Sequence, residues 1–325
     1  MRAIALIAAL LACLLPLAAA GAEAQEDPMK TLFAVKTEIP QKAAFADISI
    51  RMKQAYGTPL QSVTYCWDAG KFSMRPVFGK GLSTVSPVKD EAGRFAAVTG
   101  EAEYGYLLYL PEDYDGERAY PVIFFLHGIG ERGDAPTMLA DYGPFQYLLR
   151  GHSLPFVVIA PQLEAGSHWA EDENEAETDA QMERLSMFIA QMQQKYALDA
   201  QRMHLTGLSM GGRGTYKLSC YLPDTFASVS VCCGRAGLHA QEERFFYDMS
   251  RIAETPVWIF HGLSDETVDA DHALTAVRAL RSLNEKGDLR LTLYPGVGHG
   301  CYEHAYLEAQ LYAWMEECAR VTAAD

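Results

Sequence analysis

Met203-His204-Leu205-Thr206-Gly207-Leu208-Ser209-Met210-Gly211-Gly212 decides how the rest of the chain is read. Met203–Thr206 is a short apolar run of the kind that forms a strand buried on both faces. It enters a G-x-S-x-G turn, and the residues from Gly211 to Tyr221 predict a helix. The motif has a mechanical reason in that setting. A serine on a strained strand-to-helix turn needs small residues two before and two after it, so that strand and helix can approach. The turn lifts the hydroxyl clear of the sheet, and the helix start aims N–H groups and a positive dipole end at it. Ser209 is therefore the candidate nucleophile. The bland alternative, a serine in a glycine-rich turn, is disfavoured by the elements on either side.

The same pattern extends in both directions. Arg94–Thr99 and Tyr104–Leu110 predict paired strands leading into a domain. Val122–Leu126, Phe156–Ala160, Ala227–Val231, Val257–Phe260 and Leu289–Tyr294 predict further buried strands. Helices are expected over Thr178–Tyr196, Gly211–Tyr221, Asp269–Glu285 and Glu303–Ala319. Alternating strands and helices imply an α/β fold, a mostly parallel doubly wound sheet with helices on both faces, over residues 89–325. Residues 25–88 read differently. Ala46–Ile50 and Ser62–Tyr65 alternate, and glycines punctuate them, so a small β-rich N-terminal module is expected. A strand-poor extension packed on the main domain is the alternative.

Ligands of open α/β sheets bind past the carboxyl ends of the strands. Val122–Leu126 ends in His127-Gly128-Ile129-Gly130-Glu131-Arg132-Gly133. A loop there can supply half of an oxyanion hole, and the backbone amides of Ile129 and Met210 are the candidate donors. Each such donor contributes about 3 kcal/mol to the transition state. His127 reads as a structural brace of this loop. Val257–Phe260 ends in His261-Gly262-Leu263-Ser264-Asp265, and Leu289–Tyr294 in Pro295-Gly296-Val297-Gly298-His299. Asp265 follows Ser209 by 56 positions and His299 follows Asp265 by 34, in the order Ser, Asp, His. Asp269 and Asp271 are rival acids, but they open the next helix, where acidic residues are ordinary. His304 falls on the last helix and reads as a packing or surface residue.

These residue types imply one mechanism. Ser209 becomes nucleophilic when His299 accepts its proton, and Asp265 orients and stabilises the imidazole. No metal and no organic cofactor is required.

The chain has 325 residues, 49% hydrophobic and 21% charged, with a formal net charge of −15. The length suits one hydrolase-sized core plus a small addition. The acidity argues against nucleic acid and anionic membrane surfaces as partners. Arg2, the apolar run Ala3–Ala20 and Ala22-Glu23-Ala24 predict a cleaved signal peptide over residues 1–24, and so a secreted or periplasmic protein without stable membrane insertion. Leu10-Leu11-Ala12-Cys13 loosely resembles a lipobox, so anchoring through Cys13 is the lesser alternative. Cys66, Cys220, Cys232, Cys233, Cys301 and Cys318 remain in the mature chain, in no zinc spacing. Cys232 and Cys233 are expected on opposite faces of a strand.

Leu126–Asp134, Pro161-Gln162 with Trp169, Gly207–Gly212 and His261–Val268 together resemble the secreted esterases and predicted peptidases of the α/β-hydrolase superfamily. These are related to polyhydroxybutyrate-depolymerase-like and feruloyl-type carbohydrate esterases. The resemblance covers roughly residues 95–320. It implies hydrolysis of short-chain, carbohydrate or aromatic-acid esters, with Gln162 and Trp169 as substrate-binding candidates. Some relatives carry an N-terminal immunoglobulin-like domain, which residues 25–88 would suit. Arg213, where an aromatic is common, and Cys301, just past His299, depart from the family pattern. The acidic stretch Glu171–Asp179 is a candidate cleft wall, or else a solvated loop. A peptidase using the same three residues is the alternative reading, and a non-catalytic binding protein on this scaffold a third.

Overall fold

The computed structural model describes residues 27–79, 82, 94–170, 174–237 and 248–320. The readings of a signal peptide and of Cys13 lie outside these residues. Ten strands form one sheet: β1 Leu60–Asp68, β2 Lys71–Phe78, β3 Ala96–Val98, β4 Tyr106–Tyr109, β5 Tyr120–Leu126, β6 Val157–Pro161, β7 Leu198–Leu208, β8 Ser228–Cys232, β9 Val257–Gly262 and β10 Leu289–Tyr294. Their order is β2-β1-β10-β9-β8-β7-β5-β6-β4-β3. The inner strands from β10 to β6 pair in parallel, and two antiparallel strands close each edge. Every residue of β5, β6, β8 and β9 is buried. That burial is why these strands appear in the sequence as unbroken apolar runs rather than alternating ones.

The N-terminal segment differs from expectation. Residues 27–79 form helices α1 Pro28–Ala34 and α2 Ile48–Tyr56, a short 3-10 turn, and the β1–β2 hairpin. Strand β1 pairs antiparallel with β10, Tyr65 opposite Leu291, so the hairpin widens the central sheet and does not build a separate β module. The Ala46–Ile50 stretch enters α2 instead of a strand. Its buried residues Ile48 and Met52 stand four apart, the spacing of a helix face. Five alternating residues were too short a window to separate the two periods.

Three helices matter for the site. Helix α4 (Glu175–Lys195), after the short α3 (Pro144–Leu149), is capped by Asn174, whose Oδ1 accepts the Glu177 N–H at 3.1 Å. Glu175 and Glu177 thus occupy a first helical turn, where the dipole favours acids. The acidic stretch is therefore a helix start rather than a loop from residue 174 onward. Helix α5 (Met210–Tyr221) follows Ser209, and α6 (Asp271–Leu283) follows the Asp265 loop. The helix expected over Glu303–Ala319 is two, α7 Tyr302–Ala305 and α8 Ala309–Glu317. The break lies where two buried polar groups are satisfied. Tyr306 hydrogen-bonds Thr206, and Glu308 accepts the Tyr294 hydroxyl at 2.8 Å.

Candidate functional site

Ser209 sits between β7 and α5 at φ 53°, ψ −117°. A residue other than glycine pays on the order of 1–3 kcal/mol for such a backbone, which the surroundings must supply. They do so by close packing and hydrogen bonds. A Cβ on Gly211 would lie 1.9 Å from the Leu126 carbonyl oxygen, and one on Gly207 2.4 Å from the Gly211 oxygen. Only glycine lets these backbones touch. The Ser209 N–H donates to the Cys232 carbonyl at 2.9 Å, and its own carbonyl accepts the Arg213 N–H at 3.1 Å.

The structure brings Ser209, His299 and Asp265 into one hydrogen-bonded line. His299 Nε2 lies 2.8 Å from Ser209 Oγ, and its Nδ1 lies 2.8 Å from Asp265 Oδ2. With the Nδ1–H donated to the carboxylate, Nε2 carries no proton and is free to accept from the serine hydroxyl. Asp265 is buried, and its Oδ1 accepts the N–H groups of Thr267 and Val268, both at 2.9 Å. Burial alone would raise this carboxyl. Hydrogen bonds from His261, His299 and the Val268 amide outweigh it and hold the group well below the usual carboxylate range. The rival acids are engaged elsewhere. Asp269 accepts the Asp271 N–H at 2.9 Å and pairs with Lys42 at 2.8 Å, and Asp271 accepts the Lys42 N–H at 3.0 Å.

His261 is a residue that sequence reasoning passed over. It is buried, and its Nε2 stands 2.8 Å from the Val268 carbonyl and 3.3 Å from Asp265 Oδ2. It braces the same carboxylate oxygen, Oδ2, that pairs with His299. The available signal was its place four residues before Asp265 at the same strand end. Glu131 was missed for a similar reason. It is a buried carboxyl raised by its burial, and it accepts the Gly128 N–H and the Tyr142 hydroxyl.

That loop lies against the serine turn. A Cβ on Gly128 would meet Leu208 Cδ1 at 2.8 Å and Ser209 Cβ at 3.7 Å. Ile129 opens the 3-10 turn Ile129–Glu131, and Met210 opens α5. Amides at those positions have no acceptor inside their own element. His127 is fully buried behind the loop, pairs with the Gly128 carbonyl at 2.6 Å and accepts the Leu163 N–H at 3.0 Å. Burial pushes its pKa down to about 4, so it is neutral.

Of the two expected substrate contacts, Trp169 is closed off from any ligand and Gln162 lines a cavity. Trp169 has 0% exposure, and its indole N–H donates to the His127 carbonyl at 2.9 Å. It packs on His127 and Tyr104 and offers no face to a ligand, which corrects its reading as a substrate-binding residue. Gln162 is buried, and its Nε2 donates to the Glu131 carbonyl at 2.8 Å. It also lines a cavity of about 220 Å³ with Gly133, Asp134, Tyr104, Glu103 and Arg184. None of Ser209, Asp265 and His299 lines that cavity. His304 is partly buried on α7 and packs against Tyr294.

Cys232 and Cys233 also depart from expectation. Cys233 leaves the strand at φ 41°, so its sulfur turns to the same side as that of Cys232. Both stand within 4.8 Å of the Cys301 sulfur. Burial would raise the Cys301 thiol. Hydrogen bonds from the other two thiols, with the nearby charge of His261, instead hold it well below the ordinary range.

Comparison with known proteins gives a consistent picture. The phospholipase/carboxylesterase family model matches residues 114–310. A probable feruloyl esterase C of Aspergillus niger is 32% identical over 130 residues, 40% of this chain and 46% of that protein. This chain spans about half the length of the curated relatives it matches there. A solved thermostable esterase superposes with a TM-score of 0.57 at 27% identity, over 70% of this chain and 64% of the other. A ferulic acid esterase of Anaeromyces mucronatus gives a TM-score of 0.51 at 19% identity, over 71% and 94%, and so shares the α/β-hydrolase fold.

Proposed function

We propose, from the premise that this chain belongs to the phospholipase/carboxylesterase family, that it hydrolyses carboxylic esters through an acyl-enzyme formed on Ser209. The observation that carries this is the unbroken line from Ser209 Oγ through His299 to Asp265, with both hydrogen bonds at 2.8 Å.

Ser209 Oγ attacks the acyl carbon while its proton passes to His299 Nε2. The carbonyl oxygen becomes an oxyanion facing the amides of Ile129 and Met210. The C–O bond to the alcohol then breaks, and His299 returns the proton to the leaving oxygen. Water repeats the sequence: His299 takes its proton, hydroxide adds to the acyl carbon, and Ser209 leaves with the proton. Asp265, kept ionised, stabilises the imidazolium in both halves.

The alcohol or acyl part is a short chain, a sugar or an aromatic acid. The esterase names of the relatives favour esters over amides. The N-terminal sequence supports export, so the substrate is met outside the cytoplasm. No helix among the described residues is long and apolar enough to cross a membrane.

The test is hydrolysis of p-nitrophenyl acetate and butyrate by the full chain beside Ser209→Ala. The expected loss in the variant is at least a thousandfold, roughly the size seen when such a nucleophile is removed. Equal rates would remove Ser209 from this role. Feruloylated and acetylated sugars then resolve the substrate class.

A further inference from the structure

Beneath the Ser209 turn lie three cysteines that ester hydrolysis does not use. Cys232 ends β8, Cys233 follows it, and Cys301 closes the 3-10 turn that begins at His299. Their exposures are 2%, 0% and 0%. The sulfurs of Cys232 and Cys301 are 3.7 Å apart, and all three lie within 4.8 Å of one another. Adjacent residues of a regular strand point to opposite faces. Cys233 reaches the cluster only because its backbone turns left-handed at φ 41°, a conformation costing on the order of 1–3 kcal/mol. Its N–H is fixed to the Phe260 carbonyl at 2.9 Å, which holds that turn in place.

We infer that Cys232, Cys233 and Cys301 form a binding site for one soft, thiophilic monocation of the copper(I) class. Metal–thiolate bonds of about 2.3 Å set three sulfurs around one ion about 4 Å apart, within the spacing found here. Thiolates select copper(I) and zinc over hard cations. Structural zinc takes four ligands. Among the described residues this group offers three, with no exposure that would admit water as a fourth. Three-coordinate copper(I) fits that set. Each thiol that binds exchanges its S–H for an S–Cu bond and releases the proton to solvent. The copper enters as copper(I), so no electron moves. Burial of the sulfurs means the ion enters during folding or by local opening.

The site touches two of the loops that carry the triad. The Ser209 N–H hangs on the Cys232 carbonyl, and Cys301 stands two residues after His299. An ion here would tie the serine turn to the histidine loop.

The experiment uses the full chain, reduced and metal-free under anaerobic conditions, titrated with copper(I) supplied as its acetonitrile complex. Loading is tried on folded protein and during refolding, with bicinchoninate as competitor. The expected result is one equivalent bound, with a thiolate-to-copper charge-transfer absorbance and only sulfur neighbours by X-ray absorption. Cys233→Ala and Cys301→Ala should each weaken binding by more than about a hundredfold. Cys220→Ala and Cys318→Ala, outside the cluster, should leave it unchanged. Circular dichroism checks that each variant folds, and the sulfur-only coordination of the unaltered chain is decisive if one does not. Four results would overturn the inference. They are absence of stoichiometric uptake, undiminished uptake in the cluster variants, nitrogen or oxygen neighbours, or a purified chain in which two of these thiols are already joined as a disulfide. None of these readouts depends on ester hydrolysis.

Discussion

The loops bearing Ser209, Asp265 and His299 and the N-terminal segment 27–79 rest on the same sheet but are held in opposite ways. The loops are fixed by a few hydrogen bonds at 2.8–2.9 Å around one strained residue, Ser209. The segment is fixed by buried apolar side chains, Leu32, Val35, Phe45, Ile48 and Met52 among them, with polar contacts such as Lys42–Asp269 at its surface. Loss of one atom in the first region should cost rate, and loss of several methylenes in the second should cost stability.

The largest expected effect falls on the loops. Asp265→Asn keeps the shape but presents an amide to His299 Nδ1 and favours the wrong tautomer. The expected fall in kcat is about ten-thousandfold, with little change in KM. Steady-state kinetics on p-nitrophenyl butyrate reads it. A fall of less than about tenfold would mean that His299 is oriented by something other than Asp265, and the distinction between the regions would blur.

The second effect belongs to the N-terminal segment. Met52 is fully buried on α2, so Met52→Ala should cost about 2–5 kcal/mol of unfolding free energy through lost burial and a cavity. Urea unfolding measures it. The kcat of folded protein should not move. A large kcat loss at full folding would show that the segment shapes the cleft and that the two regions are not separate.

The two regions also differed in how far the sequence disclosed them. The inner strands could be read because burial on both faces leaves only apolar residues, as in Tyr120–Leu126. The three strand ends could be read because Gly207 and Gly211 mark a turn that only glycine permits, and Asp265 and His299 fall at matching points. The α2 helix was hidden because Ile48 and Met52 alone carry its period. Trp169 was misplaced because composition does not tell which way an indole faces. The braces Glu131 and His261 depend on how short loops fold back on themselves, and the thiol cluster on contact between loops far apart in sequence. Cys233 joins that cluster through one dihedral angle that no residue pattern announces.

The smallest effect is a difference between the two regions in pH dependence. All nine histidines of the chain lie beyond residue 126, so the segment 27–79 carries none. Within the strand region, burial pushes His127 down to about 4 and His204 down to about 3, from 6.5. A buried histidine kept neutral binds its proton more weakly folded than unfolded. The unfolded chain therefore takes up protons first, and the stability these groups confer is complete above about 6.5 and lost as pH falls toward 4. His261, raised above its ordinary value, acts in the opposite sense as pH rises. Unfolding free energy should thus decline by about 3 kcal/mol at most for each of these two histidines between pH 6.5 and 4. Urea midpoints across that range should decline with the same slope in Met52→Ala and the unaltered chain, and more shallowly in His204→Gln. An equal slope in His204→Gln would take that histidine out of the account. A changed slope in Met52→Ala would couple the N-terminal segment to protonation in the strand region, which the absence of histidine there argues against.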